Sequence, residues 1–494
     1  MSVSTELPND FIIPPAATMN TVALARRAIC SQEDYLLFYT FTSGLIRSFQ
    51  TERPKDHVKV APPKILKETI LYRGQQMLRS KPRYSADVLI IGETFRPAQI
   101  DCMVRLLRGV LREGLSVLYL VKLGSDEHKT VQGFVKKHGW EHRVRFLHPW
   151  QTSYLKDKLQ RRIARSMAVP HFNRLLDILP KGVYTSPGTC ERMALRIRDH
   201  LFWKEIEPQL DFQVAIVHNH FGGMAVDVAI SAIERSKTVV TFQHGVISMP
   251  DVVSPVIAHR MLCFGSPSCN VHQRYDSRFA EFTGHPPLCR EFIPAGSFDD
   301  KLPVSVNNFS KKTLLVFDQS CDWTESCYGV QHEFDTLVQA VRNVLLQSVA
   351  VKQVVVRLHP NNKKCRNWLS LKEEFPERVD ISHPAFSLEF DVARSSLAIG
   401  LFSGAQCTSA ACGIPIFFVW EPNWFFTPDL ACFGEETFVP PSNIVHRIDE
   451  LLTHESRYLE ARERNLQAGR EYYHQGQLCE FDQELVRRML APLP

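Results

Sequence analysis

From Ala86 onward, short apolar runs alternate with longer amphipathic stretches, and this alternation restricts the fold more than any other feature of the chain. DVLIIGE, SVLYLVK and RVRFLHP are separated by helical patterns at Ala98–Arg112 and Val131–Lys137. The series resumes with VAIVHNH (Val214–His220), a helix through Ala225–Glu234, TVVTFQHG (Thr238–Gly245), RMLCFGS (Arg260–Ser266) and EFIPAGS (Glu291–Ser297). Apolar residues at successive positions suit strands buried on both faces, and helices between them make the strands parallel. The segment FDDKLPVSVNNFSK then breaks the pattern with polar residues and Pro, as a linker does. A second series follows: TLLVFDQ, QVVVRLHP, RVDIS, LAIGLFSGA and IPIFFVW, with helices expected over Glu333–Leu346, Trp368–Phe375, Leu388–Arg394 and Gln406–Cys412.

The chain therefore reads as α/β, with two Rossmann-like domains at 85–297 and 312–494, the second carrying C-terminal helices. Residues 298–311 link them, and 1–84 form an N-terminal extension with helical patterns at Thr21–Arg27 and Tyr35–Phe49. The 494 residues leave room for two such domains, and 44% hydrophobic with 22% charged residues is the make-up of an ordinary globular chain. With 58 Lys and Arg against 53 Asp and Glu, the net charge of +5 is too small to mark a dedicated nucleic-acid binder, so none is expected as partner. Thirteen cysteines without a CxxC read as reduced core thiols of a cytoplasmic protein. The start, MSVSTELPNDFIIPP, lacks the basic and apolar regions of an export signal.

Open parallel sheets bind ligands at the carboxyl ends of their strands, so polar residues placed there are the candidates for chemistry. Gln243-His244-Gly245 directly follows one strand, and Gly245 allows the tight turn that would present the His244 imidazole as a general base. At the end of the neighbouring strand His220 is a further catalytic candidate, as is Glu93 after another strand, while His218, Gly222 and Gly245 are candidates for the acceptor side. In the second half, Arg357 and His359 alternate before Pro360 and can share a face as donors to a phosphate. Ser403, Gly404 and Gln406 open a helix whose free N–H groups suit an anion; N-capping alone would account for the same residues. No GxGxxG, Walker motif or DxD follows a strand, so neither an NAD enzyme nor a P-loop NTPase is expected, and no metal or cofactor is called for.

In combination and order, QHG, RLHP and the Ser-containing turn before a helix and GIP resemble the GT-B-fold transferases of bacterial surface polymers. The CDP-glycerol glycerophosphotransferases and the capsule sialyl- and Kdo-transferases are the families concerned. The resemblance spans about residues 86–425. It implies two domains facing each other, His244 as base, and His359-Pro360 with Ser403 on the donor pyrophosphate. The chain departs from the glycerophosphotransferases at Phe402-Ser403-Gly404, where they carry a Ser-Ser pair, and at Val246-Ile247, where they carry Thr and Pro. The expected activity is transfer of a sugar from a nucleotide-activated donor, CMP-linked or otherwise, to a surface glycan or glycolipid. The nucleotide sugar is substrate, not cofactor. The alternatives are a CDP-polyol phosphotransferase and a non-catalytic glycan-assembly protein on the same fold. A basic segment, Tyr154–Met167, with Leu155, Leu159, Ile163 and Met167 at helical spacing, predicts peripheral attachment to the anionic inner face of the cytoplasmic membrane.

Overall fold

A computed structural model describes residues 83–92, 97–148, 164–166, 168–170, 173, 187–218, 223–243, 245, 256–283, 287–298, 307–318, 331–359, 366–422 and 430–493. The elements named below are those of the described residues, and the extension expected at 1–84 lies outside them except for its last two residues.

The first domain is built on seven parallel strands. In chain order they are β2 (Val88–Gly92), β3 (Val117–Val121), β4 (Val144–Leu147), β6 (Val214–Val217), β7 (Thr238–Phe242), β8 (Arg260–Cys263) and β9 (Glu291–Pro294). Their spatial order is β4-β3-β2-β6-β7-β8-β9. A separate two-stranded ladder joins β1 (Tyr84–Ser85) to β5 (Leu210–Asp211). Alternate residues of β2 serve different cores: Val88 and Ile90 enter one apolar cluster, Leu89 and Ile91 the other. Burial on both faces is why the strand is apolar without alternation, each such side chain contributing about 1.5–3 kcal/mol.

The crossover helices are α1 (Pro97–Arg112), α2 (Asp126–Lys137), α3 (Pro187–Ile206), α4 (Gly223–Glu234) and α5 (Ser266–Thr283). α2 starts five residues before the apolar pattern at Val131, because the Ser125 side chain accepts the His128 N–H and Asp126 and Glu127 occupy the first turn. α3 and α5 have no counterpart in the sequence reading. In α5 the Ser-Pro start is the signal that was available, since Pro suits the first helical turn.

The second sheet has six parallel strands: β10 (Thr313–Phe317), β11 (Gln353–Arg357), β12 (Val379–Ile381), β13 (Leu397–Gly400), β14 (Ile416–Val419) and β15 (Phe438–Val439), ordered β12-β11-β10-β13-β14-β15. Numbered from its own first strand, each sheet runs 3-2-1-4-5-6, the doubly wound Rossmann order, with one further strand in the first. The order reverses between β2 and β6 in one sheet and between β10 and β13 in the other. Helices α6 (Gln331–Gln347), α7 (Arg366–Glu374), α8 (Leu388–Ala393), α9 (Gly404–Ala411) and α10 (Ile444–Thr453) complete this wrapping.

The last two helices do not stay with the second sheet. α11 (Glu455–Tyr472) lies between α9 and α5, and α12 (Gln483–Leu490) docks on α1 of the first domain. Gly109 of α1 makes room there for the Phe481 carbonyl and Val486. Arg260 of β8 donates to the Met489 and Ala491 carbonyls, Arg487 pairs with Glu113, and Arg488 pairs with Glu291. One continuous apolar cluster consequently runs from Val88 and Ile90 through Phe264, Tyr472 and Tyr473 to Leu315 and Phe317.

Candidate functional site

At the carboxyl end of β7 the chain turns with Gly245 at φ +80°, the left-handed conformation that glycine adopts without a Cβ penalty. Gln243 holds this turn. Its amide nitrogen donates to the Gly245 carbonyl at 3.0 Å and to the Tyr472 hydroxyl at 3.4 Å, and its oxygen accepts the Phe264 N–H at 2.9 Å. The buried side chain thus ties Gly245 to Tyr472 and to the residue that follows β8. His218, at the end of neighbouring β6, is also buried, its ring stacked 6.1 Å from that of Phe242. His244, His220, Gly222, Glu93 and Pro360 lie outside the described residues.

Across the molecule, β13 ends and α9 begins at Ser403, whose hydroxyl accepts the Ala405 N–H at 3.2 Å. Gln406 completes a capping box: its side-chain oxygen accepts the Ser403 N–H at 3.0 Å, while its amide nitrogen donates to the Phe417 carbonyl at 3.1 Å. Gly400 leaves the space for that amide. Gln406 is fully buried with both ends of its amide engaged, so it positions the helix opening and does not face a ligand, as its sequence assignment had required. The helix itself starts at Gly404, two residues earlier than the apolar pattern suggests, because of this cap.

Adjacent tyrosines at the end of α11 connect the two regions. The Tyr472 hydroxyl meets Gln243 at the carboxyl end of β7. The hydroxyls of Tyr473 and Thr408 lie 3.1 Å apart, and each reaches the Gly404 carbonyl, at 3.2 and 3.1 Å. Burial above all raises the Tyr472 hydroxyl well beyond the usual phenol range, so it keeps its proton. The carboxyl end of β7 and the opening of α9 are therefore brought to one Tyr472-Tyr473 pair. Sequence reasoning had no access to either tyrosine, which stand 229 residues from Gln243 and 69 from Gly404.

At the other strand ends of the second sheet, Asp318 follows β10 and ties down the turn after β11. Its carboxylate accepts the His359 N–H at 3.2 Å and the Trp368 indole N–H at 3.0 Å. The Arg357 guanidinium is committed elsewhere. It donates to the fully buried Asp391 carboxylate at 2.6 Å and to the Phe386 carbonyl at 3.1 Å. Asp391 also accepts from Ser382 and Arg394. A buried carboxylate so paired would be strongly destabilising if left alone, which makes Arg357 a support of the strand end. Among the described residues no group of three or more His, Cys, Asp or Glu is arranged to hold a metal ion, and cysteines such as Cys263, Cys269 and Cys407 are free thiols.

No family model matches the chain, and no curated protein sequence matches it either. Its fold was compared with solved structures. HepE of Anabaena, solved with UDP-glucose, is 10% identical, with 82% of this chain and 98% of that one covered and a TM-score of 0.46. The α,α-trehalose 6-phosphate synthase of Burkholderia multivorans is 12% identical over 82% and 96% of the two chains, TM-score 0.47. The UDP-GlcNAc 2-epimerase of Neisseria meningitidis, solved with UDP-GlcNAc, is 11% identical over 82% and 100%, TM-score 0.45.

Proposed function

We propose that the protein is a glycosyltransferase that binds a nucleotide-activated sugar in the second domain and a glycan or glycolipid acceptor in the first. The observation that supports this reading is the meeting of the carboxyl end of β7, which His244 directly follows in sequence, and the α9 opening at Tyr472 and Tyr473. In the reaction His244 takes the proton from the acceptor hydroxyl as it attacks the anomeric carbon, and the bond from that carbon to the nucleotide phosphate breaks. Charge develops on the departing phosphate, where the backbone N–H groups at the start of α9, the Ser403 hydroxyl and His359 are the stabilising donors. Fixed donors of this kind serve without a metal ion. His220 and Glu93, which follow β6 and β2 in sequence, are further catalytic candidates, and His218 is assigned to the acceptor side.

Thermal denaturation against CMP, CDP, UDP and their sugar conjugates tests the donor half, since a ligand of the native state raises the transition temperature. A rise with at least one of them is expected, and no rise with any overturns the reading. His244→Ala is expected to bind that nucleotide as the wild type does and to turn over ~10²–10⁴-fold more slowly. Unchanged turnover would remove His244 from the mechanism.

A further inference from the structure

Two histidines outside this site stand together at the carboxyl edge of the first sheet. His148 directly follows β4, and its Nδ1–H donates to the Val121 carbonyl at the end of β3, 2.9 Å away. His128, in the first turn of α2, uses Nδ1 in the opposite sense, accepting the Gly124 N–H at 3.2 Å. Their rings meet edge to face with centroids 4.8 Å apart, and Phe146 backs His128 at 5.4 Å. The backbone partners fix the tautomers of the neutral rings: His128 carries its proton on Nε2, whereas neutral His148 has it on Nδ1 and keeps its lone pair on Nε2. Burial, and then the neighbouring His148, lower the His128 pKa, so it stays neutral near pH 7.

A donor and an acceptor side by side match a hydroxyl, which accepts one hydrogen bond while giving another. A phosphate or carboxylate offers only acceptors and would meet the His148 lone pair. Leu123, in the turn between β3 and α2, is 46% exposed and presents apolar surface of the kind a sugar ring's C–H face covers. β3 and β7 stand three places apart in the sheet, so the pair lies about 14 Å along the edge from the His244 turn. That span exceeds one sugar ring.

We propose that His128 and His148 form a distal hydroxyl-binding subsite, so that the acceptor is a neutral oligosaccharide lying along the carboxyl edge from β7 to β4. This rests on the transferase reading and adds the acceptor's length and chemistry to it.

Calorimetric titration with the mono- to tetrasaccharides of β1,4-linked glucose and N-acetylglucosamine provides the test. Wild-type protein is expected to bind at least one tetrasaccharide more tightly than its monosaccharide. His148→Phe and His128→Phe, which keep the ring packing, should each lose about tenfold in tetrasaccharide affinity and leave monosaccharide affinity unchanged. His148→Gln, which keeps an acceptor, should lose less and covers the case in which the Phe variant does not fold. Imidazole nitrogen NMR should show His148 protonated on Nδ1 and His128 on Nε2. The subsite is overturned if no tetrasaccharide of either series binds, if binding is indifferent to all three substitutions, or if the tautomers are otherwise. Nucleotide-induced thermal shifts measured in parallel keep the two ideas apart. Their absence in the wild type sinks the transferase reading, whereas their presence beside indifferent oligosaccharide binding sinks the subsite alone.

Discussion

Gln243 illustrates how much one uncharged side chain can organise. Replacing it by Leu removes the acceptor from the buried Phe264 N–H and the donor from the Gly245 carbonyl, and an orphaned buried group of this kind costs about 1–3 kcal/mol. The Gln243→Leu protein is expected to lose about that much stability and so unfold at lower urea concentration, and to lose turnover as well, because the turn at Gly245 is no longer tied down. Urea titration together with an activity assay checks both. His272 on α5 makes a different point. Burial holds its pKa at about 3, against about 6.5 in an unfolded chain, so acidification below 6.5 protonates the unfolded form first and removes stability. Asp276, one turn further along, is pushed up to about 6 by burial and has the opposite sign. Its folded form takes a proton first, and the stability it withholds at neutral pH returns as pH falls from 6 toward the unfolded value near 3.8. His272→Phe removes only the first effect. Its stability relative to the wild type should therefore be greater at pH 5 than at pH 7, and equal differences at both pH values would contradict the assignment. Neither Gln243 nor His272 could be assigned a role from sequence, since a role that depends on burial and distant partners leaves no local pattern.

Strands were legible because burial on both faces writes itself into the chain as unbroken apolar runs, and the expected runs start within two residues of the observed strands. Helix starts were less so. α2 and α9 both begin ahead of their apolar patterns, since Ser125 and Ser403 cap them and a cap is polar. The site was partly legible for the same reason: Gly245 and the Ser403 turn carry local signals, whereas the closure between them depends on α11, whose tyrosines look like any amphipathic helix end. At the α9–α11 contact, Gly469 is the critical position. A Cβ there would lie 2.7 Å from the Ala411 Cα and 2.9 Å from the Ala410 carbonyl carbon, backbone atoms that cannot turn aside. Gly469→Ala gains up to about 1 kcal/mol in helix propensity but forces the helices apart at about 1–3 kcal/mol, so net destabilisation is expected. Because Tyr473 seats on Gly404, nucleotide binding should weaken with it. A variant as stable as the wild type in thermal denaturation would show that the helices separate freely.

At the scale of the whole molecule, among the described residues no helix is long and apolar enough to cross a membrane. The basic segment proposed to meet a membrane surface, Tyr154–Met167, lies outside the described residues apart from Ala164–Ser166. Its five basic residues, Lys156, Lys158, Arg161, Arg162 and Arg165, would each contribute about 1 kcal/mol near an anionic surface. Sedimentation with phosphatidylserine-containing vesicles at low salt is expected to carry the protein down, and replacement of all five by Gln should abolish this; equal sedimentation of both proteins rules the segment out. The chain, finally, passes between the two domains twice: once through residues 298–311, and again after α10, where α11 packs on α5, Cys479 accepts from Arg105 and the α12 region ties to Arg260, Glu113 and Glu291. The second crossing has a consequence for synthesis. The first domain needs residues 479–491 to cover α1 and the start of β8, yet these emerge from the ribosome only after the entire second sheet has been made. The earlier half of the polypeptide must wait with one flank open while the later half is translated, which is the interval in which a chaperone would find it.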